Sequence, residues 1–97
     1  MLAWTWDARK DAANLRKHGV SFDLARRVFD DPAHLSRLDP SVEEERWQTV
    51  GKVGGVCLLV IHTGPDALPG TDIAAGRIIS ARKATRLERQ AYEEGNL

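Results

Sequence analysis

The spacing of apolar residues predicts helices near the N-terminus and strands through the rest of the chain. A first helix is predicted over residues 7–18, where Asp7 can cap the free amides and Gly19 can end the helix in the left-handed conformation. This helix separates an apolar stripe from a basic one, and the two stripes are Ala8, Ala12 and Leu15 against Lys10, Asn14 and Lys17. A second helix is predicted from Ser21 to Asp31-Pro32, because the residue before proline avoids the helical region.

Strands are predicted over residues 1–6, 34–38, 46–52, 56–61 and 73–81. The unbroken apolar run 56–61 is typical of a strand that is buried on both faces, in the middle of a sheet. Gly54-Gly55 predicts the hairpin turn before it. Residues 64–72 contain two prolines and two glycines and are predicted to form the longest and most mobile loop. Thr85 and Glu88 form a capping box that predicts a C-terminal helix, and this order of elements predicts an α+β fold.

Length and composition narrow the class of protein. A chain of 97 residues, 42% hydrophobic and 29% charged, is expected to form one small globular domain over residues 1–97. Its longest apolar run is far short of the ~20 residues that cross a bilayer, and its N-terminus lacks a signal-peptide pattern, so a cytoplasmic protein is expected. Cys57, the single cysteine, is expected to be a small buried hydrophobe in a reducing compartment.

The formal net charge is zero, but the charges are unevenly distributed along the chain. An acidic block lies between two basic ones; it comprises Asp30, Asp31, Asp39, Glu43, Glu44 and Glu45. The basic blocks comprise Arg9, Lys10, Arg16, Lys17, Arg26 and Arg27, then Arg77, Arg82, Lys83, Arg86 and Arg89. If the fold brings these basic blocks together, one face would attract a polyanion such as RNA. The alternative is a solvated surface with balancing ion pairs.

The segment with the most specific chemistry ends the first predicted helix. Arg16, Lys17 and His18 directly precede Gly19, so they fall in the last turn, where the helix dipole favours positive charge. Such a cluster is a candidate phosphate site. The alternative is that these side chains only cap the last carbonyl groups of the helix.

Two motifs about 60 residues apart carry a family resemblance. They are Asn14-Leu15-Arg16-Lys17-His18-Gly19-Val20-Ser21-Phe22 and Arg77-Ile78-Ile79-Ser80-Ala81-Arg82-Lys83-Ala84. In this order and in so short a chain, they resemble the BrnT toxins. The resemblance implies a RelE-like fold, with N-terminal helices packed on a small, mainly antiparallel sheet and a C-terminal helix. It also implies a ribonuclease that arrests translation and is held inactive by a BrnA antitoxin with a ribbon-helix-helix domain, in a heterotetramer that represses its own operon. Residues 64–76 depart from the short hairpin expected there.

RNA cleavage without a metal ion needs a base near the 2′-hydroxyl, cations around the phosphorus and an acid for the leaving oxygen. The candidate catalytic residues are His18, Glu45, Arg46 and Arg82. Further candidates for phosphate or RNA contacts are Lys10, Lys17, Arg77, Lys83 and Tyr92. Arg82 is preferred to Lys83, because neighbours on an extended backbone point to opposite faces and arginine can grip a phosphate with two hydrogen bonds. The alternatives are a capping role for His18, a solvated acidic edge at Glu45 and packing of Tyr92 on the sheet.

No metal or cofactor is expected. His18, His34 and His62 are far apart in the sequence, without the close ligand pairs of common metal sites, and no glycine-rich phosphate loop is present. A second candidate function is a module that binds RNA or an acidic partner with the same basic surface but cleaves nothing. The antitoxin is expected to dock on the basic helix 7–18 or on a sheet edge, where it would cover the cations.

Overall fold

The computed structural model describes residues 1–40 and 44–97 and is an α+β fold, as the sequence predicts. The helices are α1 (Ala8–His18), α2 (Phe22–Ala25) and α3 (Arg86–Glu94), and a 3-10 turn (Arg26–Asp30) follows α2. The strands are β1 (Leu2–Thr5), β2 (Leu35–Leu38), β3 (Trp47–Val53), β4 (Val56–Ala67) and β5 (Ala74–Lys83). None of the helices in the described part of the chain is both long and apolar enough to cross a bilayer.

The five strands form one sheet in the order β1-β5-β4-β3-β2, so the apolar strand β4 is central, as predicted. β1 runs parallel to β5, and every other pair is antiparallel. One face of the sheet, here the α2 face, packs Leu58, Val60 and Ile78 against Phe22 and Val28. The opposite face, here the α3 face, holds a smaller apolar cluster of Val50, Cys57, Leu59 and Ala84, with Tyr92 of α3 packed on it.

Helix α1 has the predicted caps, but the side chain that it buries is a different one. The carboxylate of Asp7 accepts hydrogen bonds from the first-turn amides, and Gly19 has a φ of 70°. The apolar stripe Ala8, Ala12 and Leu15 is exposed, whereas Asn14, predicted to lie on the basic stripe, is buried.

The reason for this burial is an unpaired edge of the sheet. β1 pairs with β5 only from Ala74 to Arg77, so the edge of β5 beyond that point lacks a neighbouring strand. The side-chain amide of Asn14 takes the place of that missing strand. Its Nδ2 donates to the Ala81 carbonyl at 2.8 Å, and its Oδ1 accepts from the Ala81 N–H at 3.1 Å. Nδ2 also donates to the Val20 carbonyl at 2.9 Å, which ties the end of α1 to the core. A buried backbone donor and acceptor require such partners, so this polar contact fixes α1 beside β5.

The prediction of a long loop over residues 64–72 is wrong. β4 continues to Ala67, where it pairs with Ala74, and the connection to β5 is only residues 68–73. Gly64 and Pro65 lie instead at an irregularity of the ladder between Thr63 and Asp66. Proline and glycine are tolerated at such a bulge because the extra residues are left out of the pairing, so here they mark a bulge within a strand and no loop.

Helix α3 is held by two polar contacts besides its capping box. Arg82 donates to both carboxylate oxygens of Glu88, at 2.7 and 3.0 Å, and Glu88 is itself half-buried. This contact lowers the pKa of Glu88 to about 2. The Tyr92 hydroxyl donates to Asp31 at 2.5 Å, which lowers the pKa of Asp31 and raises that of Tyr92 to about 12. These contacts link α3 to β5 and to the end of the 3-10 turn.

We expect Glu88→Gln to lower the free energy of unfolding by about 1 kcal/mol at pH 7, since glutamine keeps the capping contact but removes the charge that pairs with the partly exposed Arg82. The folded-state pKa of Glu88 lies below its usual value of 4.5, so the stabilisation is present above pH 4.5 and is lost as the pH falls toward 2. Urea unfolding of the parent chain and of Glu88→Gln across this pH range measures the change in the free energy of unfolding. Glu93→Gln, an exposed position on the same helix, is the control; equal pH dependence of all three proteins would contradict the expectation.

Candidate active site

Helix α3 covers only one part of its sheet face. Tyr92 packs over the apolar cluster that includes Val50 and Leu59, near the turn between β3 and β4. Toward the other end of these strands, beyond Ile61, Thr63 of β4 lies directly opposite Arg77 of β5. This part of the face is lined mainly by polar and charged side chains, which are the residue types that bind phosphate and transfer protons.

A cavity of about 160 Å³ lies at this end of the face. Three cations from different parts of the fold line it: Lys10 from α1, Arg46 just before β3, and Arg77 from β5. The remaining lining residues are Glu44, Thr63 and Ile79. We call this the cationic cavity, because three positive side chains and one carboxylate line it among the residues that the structure describes. It brings together members of both basic blocks, which the sequence left open.

Arg46 is the least exposed of these cations, with 28% of its side chain accessible. Its Nη2 donates to Glu44 at 3.0 Å, but its Nε is buried and has no hydrogen-bond partner among the described residues. A buried donor without an acceptor costs about 1–3 kcal/mol. A paired contact of Nε and a terminal nitrogen with two phosphate oxygens would require a rotation that turns Nε toward the cavity.

The N-terminal candidates other than Lys10 lie away from the cationic cavity. His18 and Lys17 are at the opposite end of α1, and His18 is about 12 Å along the helix axis from Lys10 at the usual rise per residue. Glu45 lines a different cavity together with Trp47 and His62. None of these three candidates lines the cationic cavity.

The C-terminal candidates other than Arg77 also lie elsewhere. Arg82 is bound by Glu88, which raises the pKa of its guanidinium. Lys83 is on the α2 face, since it pairs with Leu58 while Arg82 pairs with Leu59, and this confirms that the two neighbours point to opposite faces. Tyr92 packs on the sheet, with the Lys52 ammonium 5.8 Å from its ring centre. Packing, one of the two alternatives stated for Tyr92, is thus what the structure has.

Three residues of the cationic cavity are absent from the sequence-based candidates: Glu44, Thr63 and Ile79. The signal for Glu44 is the alternation of an extended chain. In an extended chain, side chains two residues apart point to the same side. This rule predicts that Glu44 lies on the side of Arg46 and Glu45 on the side of Trp47. Glu43, the first residue of this acidic run, lies outside the described residues.

Metal chemistry finds little support in the donor set. Within residues 1–40 and 44–97, no group of three or more His, Cys, Asp or Glu side chains could hold a metal ion. His62 is buried and hydrogen-bonded, and its burial lowers its pKa to about 4. The described lining of the cationic cavity offers one carboxylate and three positive charges, which is a poor environment for a metal ion and a good one for a phosphate.

Comparison with known proteins agrees with this chemistry. A family model described as the ribonuclease toxin BrnT of type II toxin-antitoxin systems matches residues 6–88, which is most of the chain. No individually curated protein matches the chain. The matched range contains strands β2 to β5, helix α1 and all lining residues of the cationic cavity. The chain therefore belongs to the BrnT family of ribonuclease toxins of type II toxin-antitoxin systems, which implies an RNA target and an antitoxin partner.

Proposed function

We propose that the chain cleaves RNA in the cationic cavity without a metal ion, and that the loss of message inhibits translation. The observation that carries this proposal is the convergence of Lys10, Arg46 and Arg77 on one cavity from three separate parts of the fold. Positive side chains fixed around a phosphate stabilise the extra negative charge that develops on its oxygens in the transition state. Nε of Arg46 has no hydrogen-bond partner among the described residues, so it would gain an acceptor if the side chain turned toward a bound phosphate.

Glu44 is the proposed general base. Its carboxylate accepts a hydrogen bond from Arg46 at 3.0 Å, and it is the one carboxylate on the cavity wall among the described residues. It would take the proton of the 2′-hydroxyl, whose oxygen then attacks the adjacent phosphorus and forms a 2′,3′-cyclic phosphate. The bond from phosphorus to the 5′ oxygen breaks, and the ammonium of Lys10 supplies the proton for that oxygen. His18 and Glu45, the bases considered from the sequence, are then not needed for this step.

The proposed partner is a BrnA-type antitoxin with a ribbon-helix-helix domain, in a heterotetramer that binds DNA through the antitoxin alone. The family resemblance is the basis for this part of the proposal. Helix α1 is the proposed docking element, because Lys10 and the stripe Ala8, Ala12 and Leu15 are exposed on it. An antitoxin seated there would cover one wall of the cationic cavity and keep RNA out.

The test is cleavage of a defined RNA by the purified chain in the presence of EDTA, with Glu44→Gln and Glu45→Gln compared. These neighbours have the same chemistry but line different cavities. We expect cleavage to survive EDTA, to yield a 2′,3′-cyclic phosphate and to fall by about 100-fold or more in Glu44→Gln, as for loss of a general base.

Loss of activity in Glu45→Gln alone would move the base to Glu45. The variant His18→Ala tests whether this histidine transfers a proton in the reaction. An unchanged rate of RNA cleavage would leave His18 with a capping role only. Binding of RNA by a well-folded chain with no cleavage would favour the non-catalytic module, and restoration by a divalent ion would contradict metal independence.

A further inference from the structure

A second and larger cavity, of about 380 Å³, opens on the α2 face at the same end of β3 and β4. This volume lies within the range of small-molecule sites. Its wall combines aromatic rings with polar groups, and those that matter here are Phe29, His34, Ser36, Glu45, Trp47 and Asp66. We call it the acceptor cavity, because the polar groups on its wall are oriented to accept hydrogen bonds.

One chain of hydrogen bonds runs from Ser36 into the protein. Ser36 Oγ is 2.7 Å from Thr49 Oγ1, which is 2.6 Å from His62 Nε2, and His62 Nδ1 is 3.1 Å from the Gly64 carbonyl oxygen. A carbonyl oxygen only accepts, so Nδ1 carries the ring proton. Burial lowers the pKa of His62 to about 4, so the ring is neutral at pH 7 and Nε2 accepts from Thr49. Thr49 must in turn accept from Ser36, which leaves Ser36 with lone pairs to offer to the cavity.

The ring of His34 is also placed as a hydrogen-bond acceptor. Its Nδ1 lies 2.6 Å from the carbonyl oxygen of Asp31, so Nδ1 donates there, and in the tautomer that this contact selects Nε2 is the acceptor. Glu45 and Asp66 are exposed carboxylates on the same wall, and as ions they only accept. None of the described residues that line the cavity is a lysine or an arginine.

The charges and rings therefore match a cationic hydrogen-bond donor. Glu45 and Trp47 are close in the chain and both line this cavity, so the carboxylate and the indole share its wall. Carboxylates next to an indole form a site for a planar cation, since a guanidinium stacks on an aromatic face and donates to carboxylates from its edge. We propose that the acceptor cavity binds the side chain of an arginine presented by a protein partner, and that the antitoxin required by this family is that partner.

A nucleotide is the other occupant that an aromatic cavity could take, and the charges disfavour it. Two carboxylates without a balancing lysine or arginine would repel the phosphates that accompany a base. The cations suited to phosphate line the other cavity, with Thr63 and Arg77 on the opposite face of the sheet. The proposal does not depend on RNA cleavage, because it concerns a different face and a different ligand.

The experiment is a titration of the ¹⁵N-labelled chain with Nα-acetyl-L-arginine amide, followed by NMR at the Trp47 indole and at His34. Nα-acetyl-L-citrulline amide, which has nearly the same shape but no charge, is the matched ligand. We expect saturable shifts with the arginine compound and binding at least tenfold weaker with citrulline. The double variant Glu45→Gln/Asp66→Asn should weaken arginine binding to the citrulline level, whereas Glu93→Gln on α3 should leave it unchanged. The first two positions are exposed, so these changes should not unfold the chain.

Equal binding of the two amides, or shifts that do not saturate at tens of millimolar, would overturn the proposal. So would saturable shifts at Trp47 with guanosine or adenosine monophosphate that compete with the arginine compound, since they would assign the cavity to an RNA base. These outcomes are separate from the cleavage assay, so this proposal and the ribonuclease proposal can fail independently.

Discussion

Replacing Arg46 with alanine should lower the rate of RNA cleavage by about 100- to 1000-fold, the usual effect of removing one group that stabilises transition-state charge. Arg46 is the least exposed cation of the cationic cavity, and its side chain donates to the exposed Glu44. Its charge is therefore better shielded from water than that of Lys10 or Arg77, so it should act more strongly on the phosphate. The measurement is the single-turnover rate on a defined RNA.

Two further variants make this result specific. Arg46→Lys keeps the charge but loses the paired N–H groups, and we expect it to recover only part of the activity. Arg89→Ala removes an exposed cation from α3, outside the cationic cavity, and should leave the rate within about twofold if general charge attraction contributes little. Equal losses in Arg46→Ala and Arg89→Ala would mean that net charge matters and position does not, which would contradict the site.

The largest loss of stability from a polar residue is expected at Asn14. Asn14→Ala removes three hydrogen bonds and leaves the N–H and C=O of Ala81 and the C=O of Val20 without partners. At about 1 kcal/mol for each bond, the free energy of unfolding should fall by about 3 kcal/mol, although alanine is a better helix former. Urea unfolding at pH 7 measures this change.

Leu15→Ala is the control on the same helix. Leu15 is half exposed, at 51%, so its replacement should cost no more than about 1 kcal/mol even though leucine is the larger and more apolar side chain. If Asn14→Ala cost no more than Leu15→Ala, water would be satisfying the edge of β5, and α1 would not depend on the asparagine for its position. Loss of that position would also move Lys10 away from the cationic cavity, so the two predictions are linked through α1.

Local sequence signals predicted most of the elements, because each depends on residues close in the chain. The cap at Asp7, the left-handed Gly19, the Gly54-Gly55 turn and the capping box of α3 are all as predicted. The apolar run of β4 predicted its central place, since a strand buried on both faces has neighbours on both edges. The prediction of one loop over residues 64–72 failed because Gly64 and Pro65 lie at a bulge within β4, and only residues 68–73 connect the strands.

The candidate site could be predicted only in part. Lys10, Arg46 and Arg77 were among the candidates, and all three line the cationic cavity. Two other candidates are bound elsewhere, since Arg82 pairs with Glu88 and Tyr92 with Asp31. No spacing in the sequence identifies these pairs, because the partners come from separate elements. Glu44 could have been chosen over Glu45 from alternation alone, had Arg46 been taken as the reference.

By itself, the sequence determined the α+β class, the caps and turns, the central strand and, through its two motifs, the family. These follow from backbone preferences over a few residues and from hydrophobic periodicity. The tertiary structure alone decided that α1 is fixed by a buried asparagine, that its apolar stripe is exposed, and that three cations from distant segments share one cavity. The physical reason is that an unpaired strand edge and a charged side chain pair with whichever suitable group the fold brings near. Local spacing in the sequence does not encode which distant residues become neighbours in space.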